Sequence, residues 1–215
     1  MPRTKTERGD TRVRRRYAKR LQPADRREQL LDAALELVAE RGFTAVSIAA
    51  VAERGGVTRP VVYDSFGSRD ELLRELIDRE TRRMGEAVHR SLASIGSAPT
   101  EDVPEALSAG LVRFLDEVRA MPRTWRLVYF PIDGVPPVLR ERVERARTEL
   151  RAPLRLAVGA WLAGTDEADQ VDVDVMVRLV QGLIQTFSRL VLDDPEHFDV
   201  DRIVGLLGEL LFREP

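Results

Sequence analysis

A glycine pair, Gly55-Gly56, interrupts two short helical patterns within residues 43–72. Each glycine costs a helix interior roughly 1 kcal/mol relative to alanine, so the pair marks a place where the chain turns. Before it, Ser47 is placed to cap a helix in which Ile48, Val51 and Ala52 form the inward face. After it, Thr58 can cap a second helix with Pro60 in the first turn, where a missing N–H costs little. Upstream, a helix starts near Asp25. Leu30, Leu31, Ala34, Leu35 and Val38 recur in it at helical spacing, and Gly42 is its stop. Two helices joined by a tight turn and packed on a third make a helix-turn-helix unit. Its expected core is Leu31, Leu35, Val38, Phe43, Ile48, Val51, Ala52, Val57, Val61, Val62 and Phe66.

The outer face of that unit is polar. Arg59 can reach a base edge or a phosphate, and the Tyr63 phenol can donate to a phosphate. Asp64 can accept from a cytosine amino group. Thr44 and Ser47 begin the supporting helix, where free N–H groups and the helix dipole favour a phosphate. Arg69, at the start of the next helix, is placed for another backbone contact, and Ser68 with Glu71 forms a capping-box pattern there. Thr58 and Ser47 would cap their helices with or without DNA, and Tyr63 or Arg59 taken singly reads equally well as ordinary surface. It is the constellation that points to double-stranded DNA.

Charge supports that reading by its distribution. The net charge is −2, but residues 1–27 hold eleven Lys/Arg against Glu7, Asp10 and Asp25, a local balance of +8 on a body of −10. One basic end on an acidic body is the asymmetry expected when only that end meets phosphate. Residues 1–22 lack apolar period and read as a basic, disordered arm. Within it Arg14, Arg15 and Arg16 could enter a minor groove or simply attract any polyanion.

The motif residues together resemble the signature of the tetracycline-repressor (TetR) family. These are Gly42-Phe43-Thr44, Ser47-Ile48-Ala49, Gly55-Gly56-Val57-Thr58, Tyr63, Phe66, and Ser68 through Leu73. The resemblance covers about 45 residues; beyond them it is architectural. Arg69 stands where that family commonly has lysine, and Ser65 where histidine is frequent. The resemblance implies an all-α protein of about nine helices: an N-terminal three-helix helix-turn-helix domain, then a C-terminal helical domain for ligand binding and dimerisation. The expected boundaries are an arm at 1–22, a DNA-binding domain at 23–70 and an effector-binding and dimerisation domain at 71–215. If the mechanism carries over, the middle helices hold a ligand cavity walled by residues such as Phe114, Val118, Trp125, Tyr129, Val158 and Trp161. A small, apolar effector entering it would bias the connecting helix at about 68–95 and release a repressor from its operator.

The remaining pattern is helical throughout. Helices are expected over about 104–120, 124–130, 138–162 with a bend at Pro153, 173–192 and 200–212. A single helix-turn-helix reads few base pairs, so such modules act as two-fold dimers on inverted repeats. Two apolar stripes offer the dimer face: Met176, Leu179, Val180, Leu183 and Phe187 on one helix, and Ile203, Leu206, Leu207 and Leu210 on the next. Gly182, Gly205 and Gly208 would let helices approach closely.

Other classes fit poorly. The chain has no cysteine, which removes thiolate nucleophiles, thiolate metal sites and disulfides together and fits a reducing cytoplasm. His89 and His197 are the only histidines, and no phosphate-cradling loop, dinucleotide fingerprint or zinc spacing is present, so neither an enzyme nor a cofactor is expected. Charged residues make up 33% and no run of about 18 uncharged apolar residues exists, so no membrane partner is expected. The alternative that stays open is a helical small-molecule or lipid-binding module with no DNA role.

Overall fold

The computed structural model describes residues 21–93, 103–128, 135–149, 151–163 and 170–211. Among them there are ten α-helices, one short 3-10 turn and no strand. Helix α1 is Pro23–Arg41, and after the turn Phe43–Ala45 come α2 (Ile48–Arg54) and α3 (Arg59–Phe66). The long helix α4 (Arg69–Leu92) leads into α5 (Val103–Ala120), α6 (Pro122–Val128), α7 (Pro137–Glu149) and α8 (Arg151–Ala163). Helices α9 (Val173–Asp193) and α10 (Val200–Leu211) close the chain.

Local signals set most of these ends. Gly42 ends α1, and its N–H donates to the Val38 carbonyl at 2.8 Å. Ser47 Oγ accepts from the Ala50 N–H and Ser68 Oγ from the Glu71 N–H, both at 3.1 Å, so α2 and α4 start on side-chain caps. The glycine pair divides its labour. Gly56 has φ 63, the left-handed region where a Cβ is strained. Gly55 has an ordinary φ of −78 but sits close-packed: a Cβ there would stand 2.9 Å from Leu30 Cδ2 and 3.1 Å from the Val51 carbonyl oxygen, so the buried Leu30 side chain would have to shift. The long helix expected over 138–162 is two helices. Pro153 is the third residue of α8, where no intrahelical N–H bond is lost, so it starts a helix rather than bending one.

One apolar core runs from the helix-turn-helix into the body. Leu30, Val38, Phe43, Val51, Val62 and Phe66 join Leu72, Leu73, Leu76 and Ile77 of α4, and these join Leu115, Trp125 and Leu139 beyond. Val57 and Val61 are half-buried at its edge. A smaller cluster around Val158, Leu162 and Val177 ties α8 to α9. Helix α6 packs against both α1 and α4, so it sits at the junction of the two halves. Helix α9, which packs on α5 and α8, is long and apolar enough to cross a membrane by length and composition, a property a count of uncharged runs misses.

Candidate nucleic-acid interface and effector cavity

Helix α3 presents its outer face because its inner one is fully committed. Val62 and Phe66 are buried, which leaves Arg59, Pro60, Tyr63 and Asp64 exposed on the other side, Tyr63 by 52%. Thr58 occupies the cap position but its side chain makes no cap bond, so its hydroxyl stays free on the exposed surface. Thr44 and Ser47 are exposed on the same unit. The far end of α3 is pinned by Arg27, which lies 4.7 Å over the Phe66 ring, donates to the Ser65 carbonyl and pairs with Glu75. Gln29 Nε2 donates to the Gly55 carbonyl at 3.0 Å and fixes the turn to α1. The exposed face of α3 is therefore held from behind at both ends. Arg14, Arg15 and Arg16 lie outside the described residues.

Arg69, expected at the phosphate backbone, spends two of its donors within the unit while its side chain stays 35% exposed. Its Nε donates to the Val46 carbonyl at 2.6 Å and its Nη2 to the Phe43 carbonyl at 2.9 Å. The fork geometry of a guanidinium serves two carbonyls at once, which a lysine ammonium does less well. Arg69 thus braces the segment that presents Thr44 and Ser47. Replacing it with alanine should lower stability by about 1.5–3 kcal/mol through loss of charge-assisted bonds, measurable as a lower urea midpoint; an unchanged midpoint would show that the bonds are dispensable.

Two chains of polar contacts link α6 to the helix-turn-helix. In the first, Thr124 Oγ1 of α6 donates to Glu80 Oε2 at 2.5 Å. Glu80 Oε1 accepts from Arg79 Nε at 2.6 Å, and Arg79 Nη1 reaches Glu28 Oε2 at 3.0 Å and Asp32 Oδ1 at 2.8 Å on α1. Arg79 is 3% exposed and Glu80 0%. Burial alone would pull the Arg79 pKa down; Glu80, Asp32 and Glu28 outweigh it and hold the guanidinium above its ordinary value. In the second chain, Arg123 Nη1 of α6 donates to Glu36 Oε1 at 3.2 Å, and Arg54 Nη1 at the end of α2 donates to Glu36 Oε2 at 3.1 Å. Arg54 also forks onto Glu40 at 2.8 and 2.6 Å. That hydrogen bond holds the Glu40 carboxyl below its ordinary value. In the sequence most of these residues look like ordinary surface charge. A signal existed for one of them, because Glu80 falls on the inward stripe of α4 between Ile77 and Met84.

A cavity of about 500 Å³ lies among α4, α5, α6, α8, α9 and α10. Of the expected wall residues, Phe114, Trp125, Val158 and Trp161 line it. The Phe114 and Trp125 rings meet edge to face, with centroids 5.0 Å apart. Val118 is fully buried in the core behind the wall, and Tyr129 lies outside the described residues. The wall also takes in Met176, Leu179, Val180, Leu183 and Phe187 of α9, so one helix serves both the cavity and the stripe expected to meet a partner.

The two expected dimer stripes are sorted by packing. Leu179, Leu183 and Leu206 are exposed, while Met176, Val180 and Phe187 are half-buried. Ile203 is 4% exposed and belongs to the subunit's own core, because α10 packs that edge on α5. It therefore has no surface left for a partner. The side chains of Leu207 and Leu210 lie outside the described residues.

Residues 30–76 match the family described as bacterial regulatory proteins, tetR family. The chain is 32% identical over 160 residues to the HTH-type transcriptional regulator AlkX of Mycobacterium tuberculosis, covering 71% of this chain and 72% of that protein. It is also 32% identical over 114 residues to the HTH-type transcriptional activator FasR of Mycolicibacterium smegmatis. That match covers 53% of this chain and only 50% of the activator's length. Among solved structures, a TetR-like transcriptional regulator from Rhodococcus sp. RHA1 superposes with a TM-score of 0.68 at 26% identity, covering 90% of this chain and 97% of that one.

Proposed function

Because the chain belongs to the TetR family of DNA-binding transcriptional regulators, we propose that it is a sequence-specific repressor released from a palindromic operator by a small effector. Regulators of this family bind DNA as dimers and respond to small molecules. For this chain, the DNA-binding unit is 23–70 and the effector and dimer unit 71–215. It acts in the cytoplasm by binding, without catalysis and without a cofactor. The face of α3 that carries Thr58, Arg59, Pro60, Tyr63 and Asp64 reads the major groove. Thr44 and Ser47 hold the backbone, with Arg69 supporting them from within. Arg14, Arg15 and Arg16 add attraction to phosphate.

The observation that supports this reading best is the placement of α6. Trp125 walls the cavity, and its neighbours Thr124 and Arg123 start the two polar chains that end on α1 and α2. An effector that moves Trp125 must therefore strain or release contacts that orient the helix-turn-helix. This adds α6 to the connecting helix α4 as a carrier of the signal. Coupling requires that the effector bind the two states with different affinity.

The test is selection of tight binders from a random duplex DNA pool at near-physiological salt, followed by sequencing. An enriched inverted repeat is the expected result. No enrichment, with binding that vanishes steeply as salt rises, would leave only counterion release at the basic arm and overturn the proposal. On the selected operator, Arg59→Ala and Tyr63→Ala should each weaken binding by about 1–3 kcal/mol, with circular dichroism unchanged since both residues are exposed.

A further inference from the structure

Among the described residues the cavity wall has a single charged one, and the geometry points to what it is for. Apolar side chains from α4, α5, α8 and α9 make up nearly all of the lining. Of the polar side chains in the wall, the two that are fully buried are already used, while Ser108 and Gln181 are half-buried. Ser91 Oγ donates to the Ala87 carbonyl at 2.9 Å, and the Trp125 indole N–H donates to the Glu117 carbonyl at 3.3 Å. Arg151, the first residue of α8, is different. It lines the cavity and is also exposed, which places it at the mouth. Neighbouring arginines are neutralised: Arg142 by Asp78, Arg145 by Glu141 and Arg155 by Asp174. Arg151 has no hydrogen bond or ion pair with any described residue.

From this we infer that the effector is an amphipathic anion, with an alkyl chain in the cavity and an anionic head on the Arg151 guanidinium. The inference rests on the reading of this cavity as the effector site and deepens it. A volume of about 500 Å³ lies within the range of ligand pockets, roughly 300–1,000 Å³. A flexible chain can follow a wall assembled from side chains of several helices. A neutral hydrocarbon would gain the same burial but leave Arg151 unused. A polar, multiply charged ligand would face mostly apolar side chains, with only the half-buried Ser108 and Gln181 to meet it and, among the described residues, no second charge. A guanidinium offers a carboxylate or phosphate paired donors in one plane, so the head is held at the mouth while the tail is buried.

Both tryptophans of the chain, Trp125 and Trp161, line the cavity, so intrinsic fluorescence reports occupancy without a label. The probes are dodecanoate, dodecyl phosphate and dodecan-1-ol, titrated into the full chain at neutral pH and below their aggregation limits. At least one anion should bind about tenfold or more tighter than the alcohol, as charge-assisted hydrogen bonds require, and the tighter of the two identifies the head group. Arg151→Gln should abolish that preference while changing alcohol affinity less than about twofold. Arg155→Gln, whose charge is already paired with Asp174, should leave the preference intact. Equal affinity for anions and alcohol in the parent chain, a preference that survives Arg151→Gln, or no binding of any probe would each overturn the inference. The regulator reading is judged separately on operator binding, so a chain that binds its operator but shows no anion preference loses only the ligand class.

Discussion

Replacing Leu206 with glutamate should yield a folded monomer whose operator affinity is lower by about 100-fold or more. The reasoning starts from how α10 divides its apolar residues. Ile203 is buried in the subunit's own core, whereas Leu206 is 52% exposed and is not part of the cavity wall. On α9, Leu179 and Leu183 are exposed as well, and both helices are seated on α5. Large apolar side chains left uncovered on two neighbouring elements are what a partner of the same chain would cover. A carboxylate at an exposed position costs the isolated subunit little, within about 0.5 kcal/mol. In a dimer it would be desolvated without a partner. Losing the dimer separates the two recognition helices, and the second half-site no longer binds at high effective concentration. Sedimentation equilibrium and fluorescence anisotropy on the selected operator check both halves of the expectation. An intact dimer with operator affinity within threefold of the parent would move the interface elsewhere.

The second large effect is expected at the junction of the two halves. Arg79→Ala should destabilise the protein by about 3–5 kcal/mol, the cost of leaving a buried charge without its partner. The charge left behind is Glu80, which is fully buried and keeps only the Thr124 hydroxyl and a long contact of 3.4 Å to Arg83. The double replacement Arg79→Met with Glu80→Leu should recover most of that stability, because a buried ion pair often contributes no more than well-packed apolar residues of similar volume. The cluster is not arranged for stability alone, since Arg79 Nη2 is buried without a hydrogen-bond partner. Its value lies in what it connects: Thr124 beside the cavity on one side, Glu28 and Asp32 of α1 on the other. The double variant should therefore fold and bind operator, yet respond to effector with a smaller change in operator affinity than the parent. Urea unfolding measures the first quantity and operator titration with and without effector the second. A double variant with undiminished response would assign the coupling to the Arg123–Glu36–Arg54 chain or to α4 alone.

The helix-turn-helix was legible because its signals are local. A cap is made by a residue three positions from the N–H it accepts from, as at Ser47 and Ser68. A glycine pair turns the chain wherever it occurs, and an apolar period of three or four residues declares a buried face. Those rules placed Val62 and Phe66 inside and Arg59, Pro60, Tyr63 and Asp64 outside. They also gave the helical class and most element ends. Where they misjudged, the deciding partner was distant in sequence. Arg69 gains a bracing role that no local rule shows, because the carbonyls of Phe43 and Val46 stand within reach of its fork. Ile203 and Leu206 share one stripe, but α5 covers only one of them. Glu80 lies on an apolar stripe and is tolerated there because Arg79 and Thr124 meet it. Periodicity states which face of a helix avoids water; it carries no record of which neighbour supplies the cover. The sequence by itself determined the helical class, the caps at Ser47 and Ser68 and the exposed polar face of α3. The tertiary structure alone decided the cavity, the two polar chains through α6 and the side chains left for a partner, because those depend on contacts made across dozens of residues.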